Sequence, residues 1–354
     1  MEVQHKNILV APLNWGLGHA TRCIPVIRNL EECGYTPIIA SDGVALELLK
    51  LEFPNRIFLE LPSYKITYPK SGANFRWKML QSAPNIIRAV VRERNLVKKW
   101  TKEHSLTGII SDNRLGVYNP NIPSVFMTHQ LNVLTGNTTF LTTSVHQHFI
   151  SKFTECWVPD VDLKPNLSGK LGHIDETLIN VKYIGALSRF RKIKSEIKND
   201  LLVLLSGPEP QRSFLEEKLI SELKQYKGSV VFVKGVIEQQ QHCFQSENIL
   251  FYNFMQSAEL EKTINESALI LCRSGYTTVM DLAKLGKKAF FIPTPGQFEQ
   301  EYLAEKFKKE GLVPYCRQDD FTAEKLAEID QYKGLCNCDN EVSWRKLFSL
   351  FECK

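Results

Sequence analysis

The sequence predicts an α/β protein made of two Rossmann-like, doubly wound domains facing one another across a cleft. Three observations predict it. Apolar, strand-like runs alternate with helical segments along all 354 residues, a pattern that requires right-handed crossovers and mostly parallel sheets. The chain, 43% hydrophobic and 23% charged, exceeds what one core usually serves. Between 160 and 200 the alternation loosens into VDLKPNLSGKLGHIDE, KYIGAL and SRFRKIKSEIK. The boundary is placed there, giving domains 1–185 and 186–354, with the final helix free to pack back on the first domain.

In the first half, strands are expected at 7–12, 37–40, 56–60, 107–111, 123–127 and 154–158, and helices at 19–33, 43–52, 84–103 and 139–152. The second half restarts with LLVLLSG (201–207), SVVFV (229–233), ILFYN (249–253), ALILC (268–272) and KAFFIP (288–293). Amphipathic segments such as FLEEKLISELKQ separate them. Ligands bind such sheets at the carboxyl ends of the strands, so the cleft between the domains is the expected site.

Composition narrows the class. The nine cysteines are odd in number, and only Cys336 and Cys338 lie close together, without CxxC or His spacing. A reduced compartment and no structural zinc are expected. MEVQHK leads straight into NILVAP, and no apolar run approaches the length of a spanning helix. A cytoplasmic location follows as an expectation. The net charge is only +5, but Lys65, Lys70, Arg76, Lys78, Arg88, Arg92, Arg94, Lys98 and Lys99 face a single acid, Glu93. That region either solvates a helix whose Ile86, Val90, Val97 and Trp100 face the core, or forms, with Tyr64, Tyr68, Phe75 and Trp77, a peripheral membrane surface for a lipid-linked acceptor. No nucleic-acid motif accompanies it, so no nucleic-acid partner is expected.

NWGLGHATR (14–22) follows the first strand. Gly16 and Gly18 either serve a tight turn alone or let a ligand approach the amides at the start of a helix. The helix dipole disfavours protonation of His19, which makes it the candidate general base. In the second half, ALILC ends at Arg273, Ser274 and Gly275, and a helix from Tyr276 would present the amides of Gly275, Tyr276 and Thr277 to a phosphate. Asp281, one turn further, is the candidate ribose acceptor. The loop PTPGQFEQE offers Gln297, Glu299, Gln300 and Glu301 to sugar hydroxyls.

The segment FYNFMQSAELEKTINESALILCRSGYTTVMDLAKLGKKAFFIP resembles the C-terminal domain of glycosyltransferase family 28, the family of the MurG-like enzymes. The strand, the CRSG turn, the T-V-x-acid helix and the P-x-P-x-x-x-x-Q loop share its order and spacing. GLGHATR is similar to the family's GGH loop, and its His-x-x-Arg form also resembles nucleotide-sugar hydrolases of the pseudaminic acid pathway. The resemblance implies a two-domain (GT-B type) fold and a UDP-sugar donor with no cofactor. It implies that backbone groups of Phe254 and Met255 hold the base, Asp281 the ribose and Gln300 the sugar, with Glu301 where the family often has a second Gln.

SGPEPQR (206–212) departs from the family's glycine-rich loop, because Pro208 and Pro210 remove two amide donors; Ser206, Gly207 and Arg212 remain candidates for the cleft. Asp112, Arg114 and His129 follow strands and are assigned to the acceptor side, either as functional groups or as a buried network around His19. The expected function is an inverting, metal-independent hexosyltransferase moving a sugar from a UDP-sugar to a glycan or lipid-linked acceptor. The alternatives are a nucleotide-sugar hydrolase and a non-catalytic sugar-nucleotide-binding protein.

Overall fold

The computed structural model describes residues 6–64, 75–135, 139–174, 179–335 and 342–352, and along 75–83 the backbone alone. Among these, one compact unit takes 6–64, 76–187 and 342–352, and a second takes 188–335. The division falls at 187/188, two residues from the expected boundary, and the last described segment belongs to the first unit.

The first unit runs β1 (Asn7–Pro12), α1 (Gly18–Glu32), β2 (Thr36–Ser41), α2 (Gly43–Glu52), β3 (Ile57–Glu60), α3 (Phe75–Glu103), β4 (Leu106–Asp112), β5 (Ser124–Met127), α4 (Thr139–Ile150), β6 (Glu155–Val158) and β7 (Val181–Tyr183). The strands form one parallel sheet in the order β3-β2-β1-β4-β5-β6-β7. Parallel strands flanked by helices are buried on both faces, which is why β1, β4 and β5 read as continuous apolar runs. One core layer joins Leu9, Ala11, Ile38, Ala40 and Ile109 to Val97 and Trp100 of α3. Arg88, Arg92, Lys98 and Lys99 on the same helix are exposed, as the stripe pattern predicts. α3 begins at Phe75 and carries Pro84 inside it, whereas the sequence reading began the helix at Pro84, a residue favoured in a first turn.

The second unit runs β8 (Asn199–Leu204), α5 (Gln211–Leu223), β9 (Val230–Val233), β10 (Cys243–Ser246), β11 (Ile249–Tyr252), α6 (Ser257–Asn265), β12 (Ser267–Cys272), α7 (Tyr276–Leu285), β13 (Lys288–Phe291) and α8 (Phe298–Lys309). Its sheet has the order β10-β11-β9-β8-β12-β13, with β10 antiparallel to β11 and the other pairs parallel. Leu201, Val203, Phe232, Phe251, Leu271 and Phe290 of the strands pack against Leu215, Leu219 and Leu223 of α5. These leucines lie four residues apart on one helix face. Both sheets reverse their strand order, between β1 and β4 in the first unit and between β8 and β12 in the second. In doubly wound sheets such switch points, at the carboxyl ends of the strands, are where ligands bind.

Among the described residues no helix is long and apolar enough to cross a membrane, and no group of three or more His, Cys, Asp or Glu is arranged to hold a metal ion. Cys336, Cys338, Lys65, Tyr68 and Lys70, and the side chains of Phe75, Arg76, Trp77 and Lys78, lie outside what is described.

The last α-helix, α9 (Trp344–Phe348), is followed by a 3-10 turn at Ser349–Phe351 and belongs to the first unit. Phe348 meets Tyr35 edge-on at 5.9 Å and Trp157 at 6.3 Å between ring centroids, and the Tyr35 hydroxyl donates to the Phe348 carbonyl at 3.0 Å. Phe348 is 1% exposed. Phe348→Ala is expected to lower the unfolding free energy of the first unit by about 3–5 kcal/mol through lost burial and a cavity, measured by urea denaturation.

Candidate functional site

In the first unit Pro12 and Asp112 are register partners at the ends of β1 and β4. After β1 the chain turns at Gly16, whose φ of +75° only glycine adopts without strain, and enters α1 at Gly18. His19 therefore stands in the first turn, above the end of β4. Its Nδ1 lies 2.9 Å from Asp112 Oδ1. Arg22, three residues further on the same helix face, donates Nε to Asp112 Oδ2 at 2.6 Å and Nη2 to Asp112 Oδ1. Its Nη1 donates to His129 Nδ1 at 2.8 Å. Asp112 and Arg22 are buried, while the His19 side chain keeps 14% exposure.

Burial pushes the Asp112 carboxyl up, but Arg22 and then His19 outweigh it and hold the group below the usual carboxylate range. Nδ1 of His19 stands 2.9 Å from both the acceptor-only Asp112 carboxylate and the donor-only Arg22 Nη2; in the tautomer whose Nδ1 proton goes to Asp112, Nε2 keeps its lone pair. Burial lowers the His19 pKa below 6.5; Asp112 opposes that, and Arg22, with Nη2 2.9 Å from Nδ1, adds to it. The arrangement is an oriented, neutral imidazole with one nitrogen available as a base.

Of the acceptor-side residues, Asp112 and His129 join this cluster and Arg114 does not. The Arg114 guanidinium is buried, donating to the carbonyls of Pro12 at 2.9 Å and Pro62 at 3.2 Å, to Glu93 Oε1 at 2.8 Å and to Asp42. Glu93, the lone acid of the basic region, also accepts from Tyr64 Oη at 2.9 Å and the Gly116 amide at 3.0 Å. Buried charges persist only when paired this fully. Arg114 thus locks the loops after β1 and β4 together, a correction to its expected ligand-facing role. Arg22, which the sequence alone gives no role, is the cation of the site; the His-x-x-Arg spacing on a helix is the signal for it.

In the second unit the registers align Leu204, Cys272 and Phe291 at the ends of β8, β12 and β13. Gly207, Gly275 and Thr294 each follow three residues later, on adjacent loops. Gly275 caps α7 without a side chain, and the first turn carries no acid, so nothing of its own charge opposes an anion at the positive end of the helix dipole. A Cβ at Gly275 would meet no atom within 4 Å. Ser206 and Thr277 are half-buried beside these positions.

Several predicted contacts are already occupied. Arg273 is buried and donates to the carbonyls of Ile292, Pro293 and Gln211 and to Gln318 Oε1; it fixes the loops rather than facing a ligand. Arg212 pairs with Glu209 Oε1 at 2.6 Å and Glu216 Oε2 at 2.5 Å and donates to the Lys234 carbonyl at 3.2 Å, so it ties α5 to the end of β9. The Tyr276 side chain is buried, which leaves its backbone alone as a candidate contact. Ser274 donates to the Gln300 carbonyl at 2.7 Å, and Gln300 Oε1 accepts from the Thr294 amide at 2.8 Å. Glu301 accepts from the Gly296 amide at 2.9 Å, and Gln297 is the N-cap of α8. Phe254 and Met255 are buried, and the Phe254 carbonyl accepts from Gln241 at 2.9 Å. Asp281, 8% exposed, accepts from Ser188 Oγ at 2.6 Å, and burial raises its pKa to about 6 against the pull of Arg189.

Residues 212–331 match the model of the glycosyltransferase family 28 C-terminal domain. The "UDP-N-acetylglucosamine--N-acetylmuramyl-(pentapeptide) pyrophosphoryl-undecaprenol N-acetylglucosamine transferase" of Haemophilus ducreyi is 24% identical over 330 residues, covering 89% of this chain and 86% of that protein. The structure of Acinetobacter baumannii MurG superposes with a TM-score of 0.57 at 15% identity over 98% of this chain and 99% of that one. Spinosyn rhamnosyltransferase SpnG gives 0.61 at 14% identity over 98% and 95%. The fold is that of GT-B glycosyltransferases.

The cluster around Asp112 has a pH signature. Unfolded His19 binds a proton near its ordinary 6.5 and folded His19 only at lower pH, so stability falls as pH drops below 6.5. Arg22→Gln is expected to raise the His19 pKa, because the Arg22 cation contributes to lowering it; imidazole NMR titration checks the shift.

Proposed function

We propose that the chain, a MurG-like glycosyltransferase with a family 28 C-terminal domain, transfers an N-acetylhexosamine or hexose from a UDP-sugar, with inversion, to a hydroxyl of a glycan or lipid-linked acceptor. The name of the Haemophilus relative contains both a UDP-sugar and a pyrophosphoryl-undecaprenol acceptor, and the reading carries both classes over. One observation supports it above the others: His19, oriented by an ionised Asp112, presents a lone pair at the crevice of a doubly wound sheet.

In this reading Nε2 of His19 takes the proton of the acceptor hydroxyl as its oxygen attacks the anomeric carbon. The new bond forms on the face opposite the breaking carbon–oxygen bond, and UDP departs. Asp112 stabilises the imidazolium. Both Asp112 oxygens are engaged by Arg22 and His19, which removes it as a nucleophile for a double displacement and favours inversion. The start of α7, with Gly275 and Thr277, stabilises charge building on the diphosphate without a metal, and Asp281, Gln300 and Glu301 border the ribose and sugar.

A membrane contact belongs to the same proposal. Ile87 and Val91 of α3 and Phe140, Leu141 and Val145 of α4 are all at least half exposed, and Ile86 and Phe149 of the same helices pack on one cluster with Leu13, Tyr64, Ala89 and Val90. Exposed Arg88, Arg92, Arg94 and Lys98 accompany them. An apolar face rimmed by cations suits an anionic lipid surface that carries the acceptor.

The test is UDP release from UDP-N-acetylglucosamine with and without a lipid-linked acceptor. Acceptor-dependent release, with His19→Ala slower by about 10²–10⁴-fold, is the expected outcome. Rapid release of free sugar without acceptor would assign a hydrolase, and tight binding with no turnover a sensor. Separately, Phe140→Ser with Leu141→Ser is expected to reduce co-sedimentation with anionic vesicles at least severalfold relative to the unaltered chain.

A further inference from the structure

We infer that Thr294 binds the donor: its hydroxyl donates a hydrogen bond to a phosphate oxygen of the nucleoside diphosphate held at the start of α7. The inference rests on the donor reading above.

Thr294 is 1% exposed, and its Oγ1 has no hydrogen-bond partner in the protein. Buried hydroxyls are almost always paired, because losing water without replacement is costly. The loop holds this one in place, since the Thr294 amide donates to Gln300 Oε1 at 2.8 Å and its carbonyl accepts from the Gln297 amide at 3.1 Å. Its direction is defined by Gly207. A Cβ built there would lie 3.8 Å from Thr294 Oγ1 and meet nothing else within 4 Å. Gly207 has φ +108°, a conformation other residues rarely adopt, so the space stays free of a side chain.

The approach of Gly207 to Thr294 spans the carboxyl end of β12, where the chain turns into α7. β12 sits between β8 and β13 in the sheet, and the register partners Leu204, Cys272 and Phe291 each precede their loop residue, Gly207, Gly275 or Thr294, by three positions. Two independent features therefore meet: a helix start with no capping side chain, which favours negative charge, and a buried donor without an acceptor. A phosphate oxygen satisfies both, forming a short charge-assisted bond.

The experiment is calorimetric titration of the full chain with UDP and with uridine, at one salt concentration, for wild type, Thr294→Val and Thr294→Ser. Thr294→Val is expected to weaken UDP binding about tenfold or more, to leave uridine binding unchanged and to leave Tm unchanged or higher, since no internal hydrogen bond is lost. Thr294→Ser should bind UDP within about threefold of wild type, as its hydroxyl remains. Equal UDP affinity in wild type and Thr294→Val overturns the inference and leaves the donor reading intact. A lower Tm for Thr294→Val makes the hydroxyl structural and also overturns it. A matching loss for uridine moves the contact to the nucleoside and overturns the phosphate assignment. A wild-type chain that binds no UDP overturns the donor reading itself.

Discussion

Parallel strands held in register deliver the residues that follow them to a common level, and both candidate sites depend on this constraint. In the first unit the pairing of Pro12 with Asp112 fixes how far the Gly16 turn has to travel before α1 lowers His19 onto the carboxylate. In the second, Leu204, Cys272 and Phe291 end their strands at one level, and the loops that follow bring Gly207 up to the Thr294 hydroxyl. Chain direction matters as much as register. Helices that follow parallel strands start at the carboxyl edge, so their positive dipole ends gather where the strand order reverses.

The first unit spends buried charge on holding that geometry. Asp112 with Arg22 and His19 makes one cluster; Arg114 with Glu93, Asp42 and the Pro12 carbonyl makes another. The two meet through β1 and β4, whose last residues supply Pro12 and Asp112. Removing one member leaves an uncompensated ion in an apolar layer, so the loops tolerate little displacement. Rigidity of this kind is what a general base requires, since catalysis by proton transfer depends on geometry before it depends on pKa.

Much of the fold was legible because parallel strands buried on both faces are written as uninterrupted apolar runs, as in NILVAP and ALILC. β7 and β10 escaped notice for the opposite reason. VKY is half-exposed and CFQS is exposed throughout, so neither contrasts with a loop. Among site residues, His19 and Asp112 were readable from their positions after strands. The roles of Arg114, Arg212 and Arg273 were not, because a cation near a ligand edge looks the same in sequence whether it faces solvent or a ring of carbonyls and carboxylates three to 102 positions away. Thr294 was hidden for a related reason: a threonine in PTPGQ carries no mark of whether its hydroxyl is paired.

The fate of those arginines bears on how the second unit meets a diphosphate. Arg212 is matched by Glu209 and Glu216, and Arg273 is enclosed by backbone carbonyls and Gln318. Both guanidiniums are held by partners within the protein. In the donor reading proposed here, the negative charge is then met by oriented dipoles: backbone amides at the start of α7 and a hydroxyl beside them. Fixed dipoles in a partly buried crevice need little reorganisation as charge moves onto the leaving group, and they act in a medium that screens them less than water does.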